Sequence, residues 1–298
     1  VNNLCLPCCF TNKDTPKDIE ARQICLHNKV IDTVKDDKYE KYVSGWKKFP
    51  VNENRLGGLP NILNDILENN LSDAFNEGGD AGNLKEDVPI FVRRGIKQSK
   101  ANSLIDSVIS IAKDSSTPNG KCLSKNIMEI CQKIDVETFI SLNSGDLINI
   151  FDNHQPINQD KYHLFYKWTL KNYNQIDKLI DYDLVTTCST LDKMNQLSEE
   201  NKYTFLKLYQ IYSSMHNFIN YLKSDKIKDI QLLWELLSRK NIIFEDDINL
   251  IIFDVIDDKV YQVCPKWFND GYINERKDTC FLIRSRTTNK FEPIFNIM

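Results

Sequence analysis

Length, composition and charge already argue against several classes of protein. The chain has 298 residues, of which 41% are apolar and 27% charged, so it can bury one large core or two smaller ones and does not have the composition of a disordered chain. Its formal net charge of −4 argues against a self-sufficient nucleic-acid binder, which is usually strongly basic. No secretory signal opens the chain and no apolar run reaches the roughly 18 to 20 residues that cross a bilayer, so we expect no membrane association. The first residue is Val1, which we expect of a fragment or of a processed product.

The N-terminal segment concentrates cysteines at a spacing that zinc sites use. Cys5, Cys8, Cys9 and Cys25 are four of the nine cysteines, and His27 follows Cys25 after one residue. A Cys-x2-Cys turn joined by a loop to a Cys-x-His pair supplies the four ligands of a tetrahedral site. We therefore predict zinc as a cofactor, bound by Cys5, Cys8, Cys25 and His27, with Cys9 as an alternative ligand. The alternative is a set of ordinary buried thiols, and in either case clustered cysteines in odd number favour a reducing, intracellular compartment.

Turn signals and periodicity divide the rest of the chain. Polar loops dominate residues 1–75, which is typical of a small module held by metal. The stretch 76–87, rich in Gly, Asn and Asp, is the best linker candidate. Residues 88–298 show helical periodicity first and then β-rich runs, which predicts an α+β domain whose antiparallel sheet is formed mainly by the C-terminal strands. In chain order, the predicted helices are 61–67, 103–111, 123–134, 162–180, 202–222 and 227–237, and the predicted strands are 89–92, 249–255, 260–264, 279–284 and 291–295.

Several short blocks carry a family resemblance, and they occur in the same order along the chain. They are Leu4–Phe10 with Cys25–His27, Arg55–Pro60, Phe91–Ile96 with Asn102–Leu104, Asn249–Phe253, Cys264–Pro265 and Phe291–Phe295. Together they resemble the C-terminal part of the large subunit of the poxvirus early transcription factor and its homologues in other large nucleocytoplasmic DNA viruses. The cysteine block is the most specific of them.

This resemblance implies a subunit of a virus-encoded initiation factor that helps to recruit viral RNA polymerase to early promoters. The implied partners are the ATPase subunit of the factor, the viral RNA polymerase and promoter DNA, and the implied location is the virion and the host cytoplasm. In that family the ATPase belongs to the partner subunit. Consistently, this chain contains neither a Gly-x4-Gly-Lys-Ser/Thr nor a Gly-x-Gly-x2-Gly phosphate loop.

A second resemblance lies within residues 88–298. Ala101–Val108 resembles the nucleophile helix of ovarian-tumour-type (OTU) cysteine proteases, and Asn289–Ile294 resembles the final strand of that fold, in which a His precedes an aromatic residue. Here Ser103 stands in place of the thiol and Lys290 in place of the imidazole. A serine hydroxyl needs a neighbouring base, and lysine is protonated at neutral pH unless it is deeply buried, so we predict a degenerate, non-catalytic OTU-like domain.

Four basic residues near the predicted linker are candidates for contacts with DNA. Arg93, Arg94, Lys97 and Lys100 lie within eight positions of one another. Contacts from such residues to phosphates position DNA without reading its sequence. The alternative is a solvated loop. The same two alternatives apply to Lys47 and Lys48 beside Trp46 in the sequence.

These observations predict a non-enzymatic fragment of a viral early transcription initiation factor that contacts its partners and promoter DNA. The alternatives are an OTU-like cysteine or serine hydrolase, acting on ubiquitin or on a viral polyprotein, and a structural virion protein. His154, His163 and His216 stand singly without metal-ligand spacing, and we expect no catalytic or metal-binding role for them.

Overall fold

The computed structural model describes residues 41–76, 81–97, 99–114, 122–257, 259–266 and 273–297. Its strands are, in chain order, β1 (Tyr42–Ser44), β2 (Leu56–Gly57), β3 (Gly82–Asn83), β4 (Ile90–Arg94), β5 (Asn249–Ile256), β6 (Lys259–Val263), β7 (Thr279–Ser285) and β8 (Lys290–Ile297). Its α-helices are α1 (Asn61–Ile66), α2 (Leu71–Ala74), α3 (Ser103–Lys113), α4 (Ile127–Lys133), α5 (Val136–Ser141), α6 (Asp146–Ile150), α7 (Gln159–Lys171), α8 (Tyr173–Ile176), α9 (Tyr182–Thr187), α10 (Leu191–Asn195), α11 (Glu199–Lys223) and α12 (Ile230–Ser238). The predicted α+β class is confirmed.

The helices begin where the sequence supplies capping side chains. At most of the helix starts between residues 126 and 229, an Asn, Asp, Ser or Thr accepts a hydrogen bond from a backbone N–H group of the first turn, as the side chain of Asn126 does for α4 and that of Asp229 for α12. These side chains satisfy donors that have no partner within the helix. The longest helix, α11, starts at Ser198 with Glu199 and Glu200 in its first turn and ends near Lys223, charges that complement the helix dipole.

One mixed sheet joins strands from both ends of the described chain. Its strand order is β3-β1-β2-β4-β8-β7-β5-β6. The pairs β1–β2 and β5–β7 are parallel and the other neighbouring pairs are antiparallel. The sheet was predicted to be antiparallel, but the observed sheet is mixed. After β5 the chain turns back and forms β6, which is antiparallel to β5 on one side. It then crosses to the other side of β5 and forms β7, which is parallel to β5.

Side chains alternate between two cores across this sheet. On one face Leu250 and Ile252 of β5, with Leu282 of β7, join the large helical core. On the other face Ile251 and Phe253 of β5 pack with residues of the loop and helix around α1, namely Leu59 and Leu63. Because both faces are covered, the strands β5 and β7 read as nearly continuous apolar runs in the sequence.

The observed organisation differs from the predicted boundary between a module ending at residue 75 and a domain beginning at residue 88. Residues 42–298 form one compact unit. Within it β1 and β2 extend the sheet beside β4, and β3, at positions 82 and 83 of the predicted linker, pairs with β1. Backbone pairing of these very short strands supplies an organisation that hydrophobic periodicity does not reveal.

Candidate functional site

The first residue of α3 packs against the beginning of β8. Ser103 is buried, and its Oγ accepts a hydrogen bond of 2.8 Å from the backbone N–H of Phe291. One turn later, Ser107 Oγ lies 2.8 Å from the carbonyl oxygen of Ser103 and 3.0 Å from that of Phe291. Two serine side chains thus connect the helix N-terminus to the backbone of the residue that follows Lys290. The two segments singled out by the OTU resemblance therefore meet, although 188 positions separate Ser103 from Phe291.

The described contact of the Ser103 hydroxyl is with the backbone of β8. No described histidine forms a hydrogen bond with its hydroxyl: His154 lies 3.0 Å from Asp152, and His216 packs against the ring of Tyr212 at 4.8 Å between centroids. Burial lowers the pKa of His216, with a further contribution from a nearby lysine, so this imidazole is less readily protonated than a solvated one. The Ser103 hydroxyl oxygen serves as an acceptor for the backbone of β8, which is a structural task.

Arg93, one of the predicted DNA contacts, is a buried structural residue, and that prediction is wrong for it. Its side chain is 0% exposed. Its Nε donates to Gly58 O at 2.7 Å, its Nη1 to Glu292 Oε2 at 2.7 Å, and its Nη2 to the carbonyl oxygens of Trp46 and Lys48 at 2.9 and 3.2 Å. The guanidinium points into the protein because β4 is a central strand and this residue faces the loop that covers the sheet. A phosphate cannot reach it.

Glu292 completes this buried cluster, and the sequence alone did not identify it. Its carboxylate accepts hydrogen bonds from Arg93 and from the backbone N–H of Val51. Burial raises the pKa of Glu292 to about 6, although Arg93 and the hydrogen bonds act in the opposite direction. Burial likewise lowers the pKa of Arg93, opposed by Glu292. The pair joins β4, β8 and the loop between β1 and β2.

Two glycines make room for the cluster. A Cβ at Gly57 would lie 2.7 Å from the side chain of Val51 and 2.9 Å from Nη2 of Arg93. A Cβ at Gly95 would lie 2.0 Å from the carbonyl oxygen of Asn52. Both glycines belong to the blocks of the first resemblance, and the sequence alone gave no reason for a glycine at either position. The close packing around them supplies that reason.

Arg94 and Lys97 lie on an open polar groove beside α3, which we call the α3 groove. It has a volume of about 330 Å³, and its charged lining residues are Arg94, Lys97, Lys113, Lys125, Glu53, Asp106 and Asp114. The Arg94 guanidinium pairs with Asp114 at the end of α3 and lies 4.2 Å from the centre of the Phe295 ring. Asp106 accepts a hydrogen bond of 3.0 Å from Ser99 N, and burial raises its pKa against the effects of that bond and of Lys113.

This arrangement gives the α3 groove a basic edge, because Arg94 pairs with Asp114 and three lysines remain beside Glu53 and Asp106. Lys97, Lys113 and Lys125 are exposed, and Lys113 Nζ donates to the carbonyl oxygen of Lys125 at 3.2 Å. Lys100, the fourth predicted DNA contact, is exposed but does not line the groove. Lys113 and Lys125 were not predicted; the only sequence signal for them is that Lys113 stands in the last turn of a helix. A phosphate is the kind of ligand that such an edge can hold.

The predicted zinc ligands Cys5, Cys8, Cys9, Cys25 and His27 lie outside the described residues, so zinc stays a prediction. Within the described ranges, no group of three or more His, Cys, Asp or Glu side chains is arranged to hold a metal ion. In the same ranges, no helix has both the length and the apolar character needed to cross a membrane.

Comparisons with known proteins add no relative. No family model, no curated protein and no solved structure matches this chain.

Proposed function

We propose that this chain is a non-catalytic fragment of a viral early transcription initiation factor of the large-subunit type. In this proposal it binds the ATPase subunit and the viral RNA polymerase, contacts promoter DNA through phosphates, and is carried in the virion to act in the host cytoplasm. The N-terminal cysteines hold zinc, and residues 88–298, which belong to the compact unit of residues 42–298, are a degenerate relative of the OTU fold that serves as a scaffold.

The observation that carries the proposal is the meeting of three separate sequence blocks around one buried ion pair. Arg55–Pro60 supplies Gly57 and the Gly58 carbonyl, Phe91–Ile96 supplies Arg93 and Gly95, and Phe291–Phe295 supplies Glu292. Blocks that are distant in sequence but in mutual contact restrict one another physically, because a change in one leaves a buried charge or a steric clash in another. This is the relationship expected among blocks that make up the core of one family.

The absence of catalysis in this proposal rests on the α3–β8 contact. The Ser103 hydroxyl accepts the Phe291 N–H, and the residue at the position of the OTU imidazole is Lys290. A serine hydroxyl needs a neighbouring base to attack a carbonyl, and a lysine stands where the OTU resemblance expects the imidazole. The same contact suits a scaffold, because it fixes a helix onto the central part of the sheet.

Copurification from infected cells tests the transcription role. We expect a tagged chain to retain the viral RNA polymerase and the ATPase subunit of the factor through washes at moderate salt, while the tag alone retains neither. Recovery of capsid or core proteins without polymerase subunits would instead indicate a structural virion protein and would contradict the proposal.

The contact with DNA is tested by the salt dependence of promoter binding. We expect Lys97→Glu and Lys125→Glu in the assembled factor to weaken binding of an early-promoter duplex and each to reduce the slope of log K against log salt by about 1. Lys178→Glu is the matched control, because it makes the same charge change at an exposed lysine that lies outside the α3 groove. Equal slopes in all four proteins would remove the groove from the DNA interface.

A reactive ubiquitin probe separates this proposal from the hydrolase alternative. We expect neither the native protein nor Ser103→Cys to be labelled, because Lys290 stands where the OTU resemblance expects the imidazole. Covalent labelling of Ser103→Cys would show that a base does reach this position and would favour the OTU-like hydrolase.

A further inference from the structure

The turn between β7 and β8 presents an arginine that shares its carboxylate partner with another arginine. Arg284 Nε and Nη2 donate to the two oxygens of Asp254, and the exposed fractions of these two side chains are 11% and 9%. Arg286 Nη1 lies 3.5 Å from the same carboxylate, but 54% of the Arg286 side chain is exposed. Two guanidinium groups thus share one carboxylate, so the cluster keeps an excess of positive charge, and Arg286 carries it to the surface.

Backbone hydrogen bonds fix this turn, which comprises Arg286–Asn289 and which we call the β7–β8 turn. Arg286 N donates to the carbonyl oxygen of Val255 at 3.3 Å, and Asn289 N donates to that of Ser285 at 2.8 Å. Asn289 has a φ of 50°, a left-handed conformation that Asn adopts more readily than most residues. Arg286 and the two threonines that follow it are exposed. Three polar side chains are therefore held at the surface on an ordered backbone, which lowers the entropic cost of binding a ligand.

The exposed arginine lies on the face of the sheet that α3 covers. Arg284 of β7 is paired with Phe291 of β8, and the Phe291 side chain belongs to the large helical core. Because Arg286 and Arg284 contact the same carboxylate, both project toward this face. Ser103 at the start of α3 accepts the hydrogen bond from Phe291 N. The β7–β8 turn therefore adjoins the beginning of α3.

Basic side chains continue from this turn along α3 to the α3 groove. Lys100 is exposed and stands three positions before Ser103, so their Cα atoms are at most about 11 Å apart. The helix α3 spans 11 residues, or about 16 Å, and Lys113 in its last turn lines the groove together with Lys97. About five phosphates of one DNA strand occupy this length of the duplex axis. One duplex is therefore long enough to contact both the turn and the groove.

The chemistry of the β7–β8 turn suits the backbone of duplex DNA better than it suits other anionic partners. Its exposed groups are one guanidinium and two hydroxyls, which bind phosphate oxygens. None of the large apolar side chains exposed in the described part of the chain belongs to β7, β8 or this turn. A protein partner gains most of its binding energy from such anchors, and a single-stranded nucleic acid gains it from bases stacked on aromatic rings. A phosphate backbone requires neither.

We propose that the β7–β8 turn binds phosphates of double-stranded DNA, and that the same duplex extends along α3 to the α3 groove. The Arg286 guanidinium pairs with one phosphate, and the hydroxyls of Thr287 and Thr288 donate to phosphate oxygens beside it. Lys100 contacts the backbone between the turn and the groove. The inference adds a second contact to the DNA interface of the proposed function, and its extension to the groove rests on that proposal.

Fluorescence anisotropy of the full chain with a fluorescein-labelled duplex tests the turn. The duplex has an arbitrary sequence, because contacts with phosphates do not read bases. We expect Arg286→Gln to weaken binding about threefold or more in low salt and to reduce the slope of log K against log salt by about 1, whereas Arg286→Lys keeps the native slope. Arg276→Gln is the matched control and should bind like the native chain, because Arg276 is exposed but precedes the other end of β7, about 20 Å away along the strand.

Two further variants test the hydroxyls and the extension along α3. Thr287→Val combined with Thr288→Val removes both hydroxyls without a change of charge, so we expect weaker binding with an unchanged slope. Lys97→Gln combined with Arg286→Gln should reduce the slope by about 2, because one duplex contacts both residues. Thermal unfolding of each variant establishes that it is folded.

The proposal is overturned if the native chain does not bind the duplex at submillimolar concentration in low salt, or if Arg286→Gln and Arg276→Gln have the same slope. Tighter binding of a single strand than of the duplex would also overturn it. Stronger competition by polyglutamate than by unlabelled duplex at equal charge would overturn it in favour of an acidic protein partner. A slope reduced by Arg286→Gln but not by Lys97→Gln would overturn the extension along α3. Failure of the chain to copurify with the viral polymerase would contradict the proposed function and leave the result of this test unaffected.

Discussion

At the scale of single residues, Arg93 shows how the surroundings decide what a charged side chain does. Arg93 and Arg94 are neighbours on β4, yet the first is fully buried against Glu292 and the second is partly exposed beside Asp114. Side chains of consecutive strand residues point to opposite faces, so one arginine enters the loop-covered face and the other reaches the α3 groove. Arg93 donates four hydrogen bonds. The burial of its charge is tolerated only while the acceptors of these hydrogen bonds remain in place.

Removal of the guanidinium should therefore destabilise the protein strongly. We expect Arg93→Met to lower the free energy of unfolding by about 3 to 5 kcal/mol at pH 7, because it leaves the Glu292 carboxylate buried without its partner. Urea denaturation measures this loss. Arg94→Met is the control, and its effect should be clearly smaller, because this side chain is 32% exposed. Equal effects of the two substitutions would contradict the burial of Arg93.

Glu292 also predicts a pH dependence of stability. Its pKa is raised from 4.5 to about 6 in the folded protein, chiefly by burial, so the folded state holds a proton that the unfolded state releases. The contribution of Glu292 to stability is therefore fully present below about pH 4.5 and is lost as the pH rises through about 6. We expect the stability of the native chain relative to Glu292→Gln to fall by about 2 kcal/mol between pH 4.5 and pH 7. Denaturant titrations of both proteins at several pH values measure this difference, and an increase with pH would refute it.

At the scale of elements, α3 completes the β8 ladder where β4 ends. β4 pairs with β8 from Ile294 to Ile297, and β7 pairs with it from Lys290 to Ile294. On the side away from β7, Ser103 and Ser107 take the place of a strand and bind the backbone of Phe291.

Loss of the Ser103 hydroxyl should leave the Phe291 N–H without this partner. We expect Ser103→Ala to lower the free energy of unfolding by about 1 to 3 kcal/mol, the cost of an unsatisfied buried donor. Hydrogen exchange of the Phe291 amide, together with chemical denaturation, measures the effect. Ser110→Ala on the same helix is the control, because Ser110 lines the open α3 groove and is only partly buried. An Ser103→Ala protein as stable as Ser110→Ala would mean that the contact between α3 and β8 is not stabilising.

The turn that follows β4 depends on a glycine for steric reasons. We expect Gly95→Ala to destabilise the protein by several kcal/mol or to prevent its folding, because the new Cβ would lie 2.0 Å from the Asn52 carbonyl oxygen. Gly45→Ala provides the comparison, since no atom lies within 4 Å of a Cβ at that position. Melting temperatures of the two variants test the difference. If the two variants had the same melting temperature, the loop from Val51 to Asn52 would be able to move away from the new Cβ without a loss of stability.

At the scale of the whole molecule, one sheet holds the described chain together. Its strands come from positions 42–94 and from positions 249–297, and the helical region lies between them in the sequence. β4 and β8 join these two halves at the centre of the sheet. Backbone pairing therefore attaches residues 42–75 to the rest of the sheet. No metal ion is needed to explain this attachment.

The zinc prediction concerns the residues before position 41 and is tested by metal analysis. We expect about one equivalent of zinc in the purified native chain, as in other four-ligand structural sites, and its loss in the Cys5→Ser and Cys25→Ser variants. Cys264→Ser is the control, because Cys264 is an exposed cysteine in the described part of the chain. Zinc-free native protein, or full zinc content in all variants, would eliminate the predicted site.

Sequence-local chemistry determined much of this protein, and contacts over long distances decided the rest. Apolar periodicity and turn signals were enough to place the main helices and the strands β5 to β8, because these signals act within a few residues. The sheet order, the burial of Arg93 and the structural task of Ser103 came only from the tertiary structure. They depend on pairs separated by 199 positions, for Arg93 and Glu292, and by 188 positions, for Ser103 and Phe291. Nothing in the residues near Arg93 indicates that an acceptor so far along the chain will remove it from solvent, whereas Arg94, one position later, keeps the partial exposure that a binding role requires.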